Sequence, residues 1–167
     1  VSGLILIGLG GNLASPVYGP PPATLTAALA ALGRAGVETV ARSAWYRSAP
    51  LPPSPQPWYV NAVASVATTL DAPALLALML DIEARLGRVR GLRNAARVID
   101  LDLLDYRGEN WATPALTLPH PRLAERRFVL EPLTELAPQW RHPILGLSAA
   151  QLLAALPDRQ PVARMPD

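Results

Sequence analysis

The chain has no cysteine, no lysine and only one phenylalanine in 167 residues. Without cysteine there is no disulfide framework and no thiolate metal site, which fits a cytoplasmic protein. Without lysine the phosphate loop G-x-x-x-x-G-K-[ST] is excluded. Charge is sparse: 17% of the residues are charged, against about a quarter in an average soluble domain. Long hydrophobic runs are missing as well, since no apolar stretch reaches the roughly 18 residues of a spanning helix. The Leu4–Leu9 run is too short for the core of a secretion signal, and no basic segment precedes it. Half of the residues are nevertheless hydrophobic, which excludes a disordered chain. The expectation is one domain over residues 1–167, long enough to enclose a single core.

What is present is arginine. All 15 basic residues are Arg, a side chain whose planar fork suits phosphate and carboxylate. On the count alone a GC-rich genome replacing lysine throughout is the better account, and the two readings differ in placement. A global bias scatters arginines, whereas a site gathers them. Arg85, Arg88, Arg90, Arg93 and Arg97 fall within 13 residues, five of the fifteen.

Leu4-Ile5-Leu6-Ile7 reads as a buried strand ended by Gly8, Gly10 and Gly11. Leu25, Leu29 and Leu32 recur at helical spacing, with Gly33 and Gly36 as the stop. Thr39–Tyr46 reads as a second strand. Ser48–Trp58, with prolines at 50, 52, 53, 55 and 57, must be extended and unable to donate ladder hydrogen bonds. It is a stiff connection, a ligand for a proline-binding module, or a lid beside a site. Tyr59–Thr69 reads as a third strand, with Tyr59, Asn61 and Val63 on one face. Asp71 is placed to cap a helix whose buried face is Leu75, Met79, Ile82 and Leu86. Val98–Leu104 is the fourth strand, and the rest is irregular up to a short helix at Leu147–Leu156. The order β-α-β-β-α-β predicts an α+β fold, the ferredoxin-like split βαβ, with an antiparallel sheet, two helices packed on one face and a C-terminal extension.

The sharpest chemical feature is Asp100-Leu101-Asp102. Residues two apart on a strand leave the same face with Cα atoms about 6.6 Å apart. Two carboxylates so placed repel each other unless a cation compensates. Pairing with arginine on a surface strand satisfies that need; so does Mg²⁺, which takes one or two carboxylates and completes its shell with water and substrate phosphates. The five arginines just upstream favour a site of the second kind, where cations stabilise charge on a transferred group. Gly8-Leu9-Gly10-Gly11-Asn12 follows a strand but lacks the dinucleotide-binding spacing. His120, held between Pro119 and Pro121, is fixed in position to donate to a phosphate, whereas His142 reads as structural. Tyr59 and Phe128, the sole phenylalanine, are the candidates for sandwiching a planar ring.

These stretches together resemble the family of 6-hydroxymethyl-7,8-dihydropterin pyrophosphokinases. The matching pieces are Gly10-Gly11-Asn12-Leu13, Tyr46-Arg47-Ser48 with Pro50-Leu51, Gln56-Pro57-Trp58-Tyr59-Val60-Asn61-Ala62, and Ile82-Glu83 with Leu86-Gly87-Arg88-Val89-Arg90. They continue through Arg97-Val98-Ile99-Asp100-Leu101-Asp102-Leu103-Leu104, Leu118-Pro119-His120-Pro121, and Glu125-Arg126-Arg127-Phe128-Val129-Leu130 with Pro132-Leu133. The pairing of the Arg-x-Ile-Asp-Leu-Asp and Leu-Pro-His-Pro segments is highly specific.

The resemblance implies transfer of the pyrophosphoryl group of ATP to the pterin's hydroxymethyl oxygen in folate biosynthesis, with AMP released. It implies that Asp100 and Asp102 hold two Mg²⁺ ions, and that Arg90, Arg97, His120 and Arg126 contact the ATP phosphates with help from Arg88 and Arg93. Glu83, Leu103 and Thr117 would lie near the nucleoside. Tyr59 and Phe128 would stack on the pterin, Asn61 would bind its edge, and backbone at Ser48, Ala49 and Leu51 would complete that pocket. Partners would be these small molecules, with no nucleic acid and no membrane, and the chain would act as a monomer.

Three departures from the family pattern stand out. Gly10-Gly11-Asn12 replaces Gly-Ser-Asn, Arg93-Asn94-Ala95-Ala96-Arg97 replaces an Arg-Trp-Gly-Pro-Arg segment, and Ala115 stands where some members have Arg. The rival readings are another Mg-dependent phosphoryl or nucleotidyl transferase, and an RNA-recognition module of the same fold class.

Overall fold

The computed structural model describes residues 3–88, 96–157 and 160–166. Strand β1 (Ile5–Gly11) leads into helix α1 (Pro21–Arg34), then β2 (Glu38–Arg42), β3 (Tyr46–Ser48) and β4 (Tyr59–Ala67). Helix α2 (Ala72–Arg85) connects to β5 (Asp100–Tyr106), followed by a small two-stranded sheet of β6 (Trp111–Ala112) and β7 (Thr117–Leu118). A 3₁₀ turn (Leu123–Glu125), α3 (Arg127–Leu136), α4 (Ala149–Ala155) and β8 (Val162–Arg164) complete the order. The fold is mixed α and β, its main sheet antiparallel in the order β5-β1-β4-β3-β8.

Local chemistry sets the helix ends. Two prolines open α1, where their missing N–H groups are not needed by the helix. Asp71 caps α2 by accepting from the Ala74 N–H at 3.0 Å. Ser148 and Gln151 form a reciprocal capping box at the start of α4, so the short closing helix falls where the sequence places it.

Four elements differ from the sequence reading. First, β1 runs on through its glycines to Gly11, and these positions become part of the site. Second, the second strand is broken. β2 pairs with Ala64–Ala67 and β3 with Tyr59–Asn61, along the same edge of β4. Between them the Ser43 N–H donates to the Val63 carbonyl at 2.9 Å, and its hydroxyl accepts from the Val63 N–H at 3.1 Å. The Ser43 side chain thus stands in for a ladder partner, and the chain kinks there. Third, the strand that carries the acidic pair starts at Asp100 and ends at Tyr106, two residues beyond the expected span.

Fourth, the stretch taken as irregular contains α3, which places helices on both faces of the sheet. Pro132 lies inside this helix, where it removes one backbone hydrogen bond. The element holds through burial instead: Val129, Leu130 and Leu133 pack with Leu6, Val63 and Leu104 of the sheet and with Leu152 of α4. On the opposite face Ile5, Ile7, Leu9, Leu101 and Leu103 meet Leu25 and Leu32 of α1 and Leu75, Met79 and Ile82 of α2. Coverage on both faces explains why β1 is buried at every position and lacks the polar alternation of a half-exposed strand.

Candidate active site

The site grows out of a single row of the sheet. Gly10 of β1 pairs with Asp100 of β5 on one side and Asn61 of β4 on the other, and Gly8 pairs with Asp102 and Val63. Directly opposed residues in an antiparallel ladder project from the same face. Asp100, Asp102 and Asn61 therefore stand on the α3 side, with a glycine in the middle of each row. A Cβ at Gly10 would sit 3.0 Å from Asn61 Nδ2, so the missing side chain is what leaves room between carboxylate and amide.

The two carboxylates leave one pleat together, as their spacing predicts. Asp100 is well compensated. Its Oδ1 accepts from Arg88 Nη1 at 2.7 Å, and its Oδ2 lies 3.3 Å from Arg97 Nη1. Asp102 is held more loosely, with Arg126 Nη1 at 3.4 Å and His120 Nε2 at 3.8 Å. Burial, then the negative charge of Asp100, pushes the Asp102 carboxyl up to about 7. The side chain still keeps 26% of its surface open. Asp105, the third acid of β5, is absorbed by the fold: it accepts from Trp140 Nε1 at 2.7 Å and from the Gly108 N–H at 3.0 Å.

The cations around the pair are braced from behind. Glu83 of α2 is buried, and its Oε2 accepts from the Leu101 N–H at 2.6 Å and from Arg88 Nη1 at 3.1 Å. Burial disfavours the charge on Arg88, but its hydrogen bond to Asp100 and the attraction of both acids outweigh that and raise its pKa. His120 Nδ1 accepts from the Arg122 N–H at 3.1 Å, which leaves the ring proton on Nε2, the nitrogen facing Asp102. Burial and the nearby Arg126 lower the His120 pKa to about 4. The imidazole is thus a neutral donor at ordinary pH. His142 packs edge-on against Trp140 and accepts from the Ile144 and Leu145 N–H groups, a structural role.

Two cavities open on this row. One, of about 450 Å³, is lined by Glu83, Arg88, Asp102, Leu103, Thr117 and His120. The other, of about 140 Å³, is lined by Ser48, Ala49, Leu51, Tyr59, Asn61 and Phe128. Arg97, Asp100 and Arg126 line both. Every predicted site residue among the described ones is brought to one cavity or to the seam between them. Arg90 and Arg93 lie outside the described residues.

Three residues were not singled out from the sequence. The Asn12 side chain donates from Nδ2 to Gln56 Oε1 and to the Pro57 carbonyl, both at 2.9 Å, and accepts from the Arg97 N–H at 2.8 Å. Gln56 Oε1 also receives the Tyr59 hydroxyl at 3.3 Å. Asn12 thereby ties the proline-rich segment to the arginine that bridges the cavities. Both residues fall inside matched segments, so that signal was available. The third, Gln160, lies far along the chain from every matched segment and had no such signal.

The glycine after Gly10 has a different task. A Cβ on Gly11 would sit 2.5 Å from the Val98 carbonyl oxygen and 3.6 Å from that of Arg97. The backbone around Arg97 is pressed against β1, and the Asn12 and Leu13 N–H groups donate to the Arg97 carbonyl. Gly11→Ser, a change toward the commoner family residue, is therefore expected to destabilise this chain by about 1–3 kcal/mol. It is also expected to lower activity by displacing Arg97, which lines both cavities. Thermal melts with steady-state kinetics on the variant check this, and unchanged values for both would show that the 97–98 segment yields freely.

A cluster of acids and guanidiniums beside an aromatic, amide-edged cavity is a lining suited to phosphate groups on one side and a planar ring on the other. Comparison with known proteins makes this specific. Residues 6–138 match the family model described as 7,8-dihydro-6-hydroxymethylpterin-pyrophosphokinase (HPPK). The chain belongs to that family, and with membership goes the ATP-dependent transfer of a pyrophosphoryl group to 6-hydroxymethyl-7,8-dihydropterin in folate biosynthesis. It is 41% identical over 154 residues to a 2-amino-4-hydroxy-6-hydroxymethyldihydropteridine pyrophosphokinase of Pseudomonas aeruginosa, covering 92% of this chain and 91% of that one. A protein of the same name from Synechocystis is 40% identical over 149 residues, covering 89% and 73%.

Among solved structures, the chain superposes on Plasmodium falciparum HPPK-DHPS, crystallised with pteroate, at a TM-score of 0.70 and 12% identity. The match covers 90% of this chain and 44% of that longer one, and it shows the shared fold. Among the described residues no helix is long and apolar enough to cross a membrane.

Proposed function

We propose that ATP lies in the 450 Å³ cavity and the dihydropterin in the 140 Å³ one, and that the β,γ-pyrophosphoryl group passes between them to the hydroxymethyl oxygen. AMP and the pterin diphosphate leave. The observation that supports this reading is the seam: two adjoining cavities, only the smaller of them lined by Tyr59 and Phe128, share Arg97, Asp100 and Arg126. A bisubstrate transfer needs the nucleophile of one site to face the electrophile of the other at such a junction.

On the acceptor side, Tyr59 and Phe128 stack on the pterin ring, Asn61 binds its edge, and backbone at Ser48, Ala49 and Leu51 completes the pocket. The Ser48 hydroxyl donates to Asn61 Oδ1. That bond orients the amide and leaves Nδ2 as the donor toward a ring acceptor. Burial raises the Tyr59 pKa, so the phenol stays protonated and keeps its bond to Gln56.

On the donor side, Arg88, Arg97, Arg126 and neutral His120 meet the phosphates, joined by Arg90 and Arg93. Glu83 acts mainly by holding Arg88, while Leu103 and Thr117 border the nucleoside. In-line alignment by these groups supplies the larger part of the rate, since positioning alone is worth roughly 7–11 kcal/mol.

Asp100 and Asp102 fit Mg²⁺. They offer only hard oxygen ligands from one pleat, and the Asp102 carboxylate has no cation closer than 3.4 Å among the described residues. Two ions held by these carboxylates would supply positive charge beside the phosphates and make the attacking alcohol more acidic. The strand order β5-β1-β4-β3 supports reading the core as the ferredoxin-like split βαβ, with α3, α4 and β8 as its C-terminal extension. That extension packs on Leu6, Val63 and Leu104, part of the sheet face on which an RNA-recognition module would stack bases. The protein is read as a cytoplasmic, monomeric, single-domain enzyme.

Incubation with ATP, Mg²⁺ and 6-hydroxymethyl-7,8-dihydropterin should yield AMP in step with pterin diphosphate. ADP as the nucleotide product, or no turnover with that pterin, would sink the reading. Tyr59→Ala is expected to weaken pterin binding about 10- to 100-fold through loss of its ring face, with little effect on ATP. A pterin Kd equal to that of the parent chain would remove Tyr59 from the pocket.

A further inference from the structure

We infer that Gln160, supplied by the C-terminal segment, is a specificity-determining residue of the acceptor cavity. The inference rests on the pterin reading above and adds a residue that lies 22 positions beyond the family-matched stretch ending at 138.

Pairing of β8 with β3 brings the segment there. Val162 opposes Ser48 and Arg164 opposes Tyr46, while Arg164 Nε lies 3.4 Å from Glu135 Oε1 of α3. Beyond the ladder the Met165 N–H donates to the Trp45 carbonyl at 2.8 Å. The end of the chain is thus fastened along the strand whose last residue, Ser48, orients Asn61.

Just before β8, the chain makes a two-point contact with Ala49. The Ala49 N–H donates to the Pro161 carbonyl at 3.1 Å, and Gln160 Nε2 donates to the Ala49 carbonyl at 2.8 Å. Both polar groups of the Ala49 backbone are therefore held by residues 160 and 161. Their direction fixes the wall on which a pterin edge must rest.

Gln160 is itself 8% exposed and lines the 140 Å³ cavity. With Nε2 committed to Ala49, its Oε1 has no hydrogen-bond partner among the described residues. An amide so placed offers an acceptor to the cavity, while Asn61 offers a donor. A pterin has both kinds of group on its pyrimidine edge: the 2-amino group and the ring N–H donate, and the ring nitrogens and carbonyl accept. The two amides, 99 positions apart in the sequence, are complementary to that edge.

The test compares Gln160→Ala with Gln160→Met, which keeps length and packing but removes both amide functions. Direct titration should show pterin binding weakened about 5- to 20-fold in both variants, the size expected for loss of one or two hydrogen bonds. ATP affinity should stay near that of the parent chain, and the thermal midpoint should fall only by the few degrees that loss of the bond to Ala49 entails. A pterin analogue lacking the 2-amino group should bind parent and variants more nearly alike, because the group that Gln160 receives is gone. Recovery of parent-like pterin affinity in Gln160→Met would show that packing alone matters, and would overturn the assignment. So would equal loss of ATP and pterin affinity, which would report a general disturbance. A parent chain that fails to bind the pterin would overturn the underlying reading, whereas a binding parent with unaffected variants would overturn the role of Gln160 alone.

Discussion

Asp102→Asn is expected to reduce turnover by about 10³-fold or more, the scale of losing a group that stabilises transferring charge, and to leave the free protein as stable or more stable. The two effects have one cause. Asp102 projects from a half-buried face beside Asp100, and among the described residues the nearest guanidinium lies 3.4 Å away. Its carboxyl is pushed up to about 7 by burial and by Asp100, so the charged form is disfavoured in the fold. For a group with a raised folded pKa, its contribution to stability is complete below the unfolded value of 3.8 and is lost as pH rises through 7. The variant lacks this loss. Its melting temperature should match that of the parent near pH 4 and exceed it by a few degrees at pH 8. MgATP should restore stability to the parent and do little for Asp102→Asn. Melts across pH, with and without MgATP, decide the matter. Parallel curves for the two proteins would show that the fold is indifferent to this charge, and retained activity would remove Asp102 from the chemistry.

Arg126→Ala should lower kcat/KM by about 10²- to 10³-fold and raise the KM of both substrates. Arg126 stands at the N-terminal edge of α3, with its guanidinium 3.4 Å from Asp102 and 5.4 Å from the centre of the Phe128 ring. It lines both cavities, so on the proposed reading its loss removes a phosphate partner, uncovers an aromatic face and leaves Asp102 with less compensation. Arg126→Lys should recover only part of this, because an ammonium supplies the charge without the flat fork that stacks and bridges. Arg88 provides the contrast. It lines the larger cavity and bonds Glu83 and Asp100, so Arg88→Ala should raise the KM for ATP and leave that for the pterin nearly unchanged. Steady-state kinetics with each substrate varied in turn separates the cases, and an Arg126→Ala enzyme with an unaltered pterin KM would place Arg126 on the nucleotide side only.

The acidic pair was legible because a strand has a period of two: Asp100 and Asp102 share a face wherever the strand starts, and a two-residue error in its boundaries does not change that. Tyr59 and Asn61 were legible for the same reason. The cap of α2 was read from Asp71, the residue just before the helix starts. Helix α3 was hidden, since Pro132 and the charged run Glu125–Arg127 argue locally against a helix, and only burial of Val129, Leu130 and Leu133 against the sheet outweighs them. The strand glycines misled in the opposite direction. Gly8 and Gly10 look like the end of a strand until their opposed partners, Asp102, Asp100 and Asn61, are known.

The sequence by itself determined the kind of chemistry, because residue types and short-range spacing decide which groups leave one face and whether they are acids, guanidiniums or rings. Only the tertiary structure decided that these groups divide between two adjoining cavities, that Asn12 links the loops bordering them, and that Gln160 reaches Ala49 across 111 positions of chain. Those arrangements depend on strand pairing and burial between distant segments, and no local pattern encodes which strand will lie beside which.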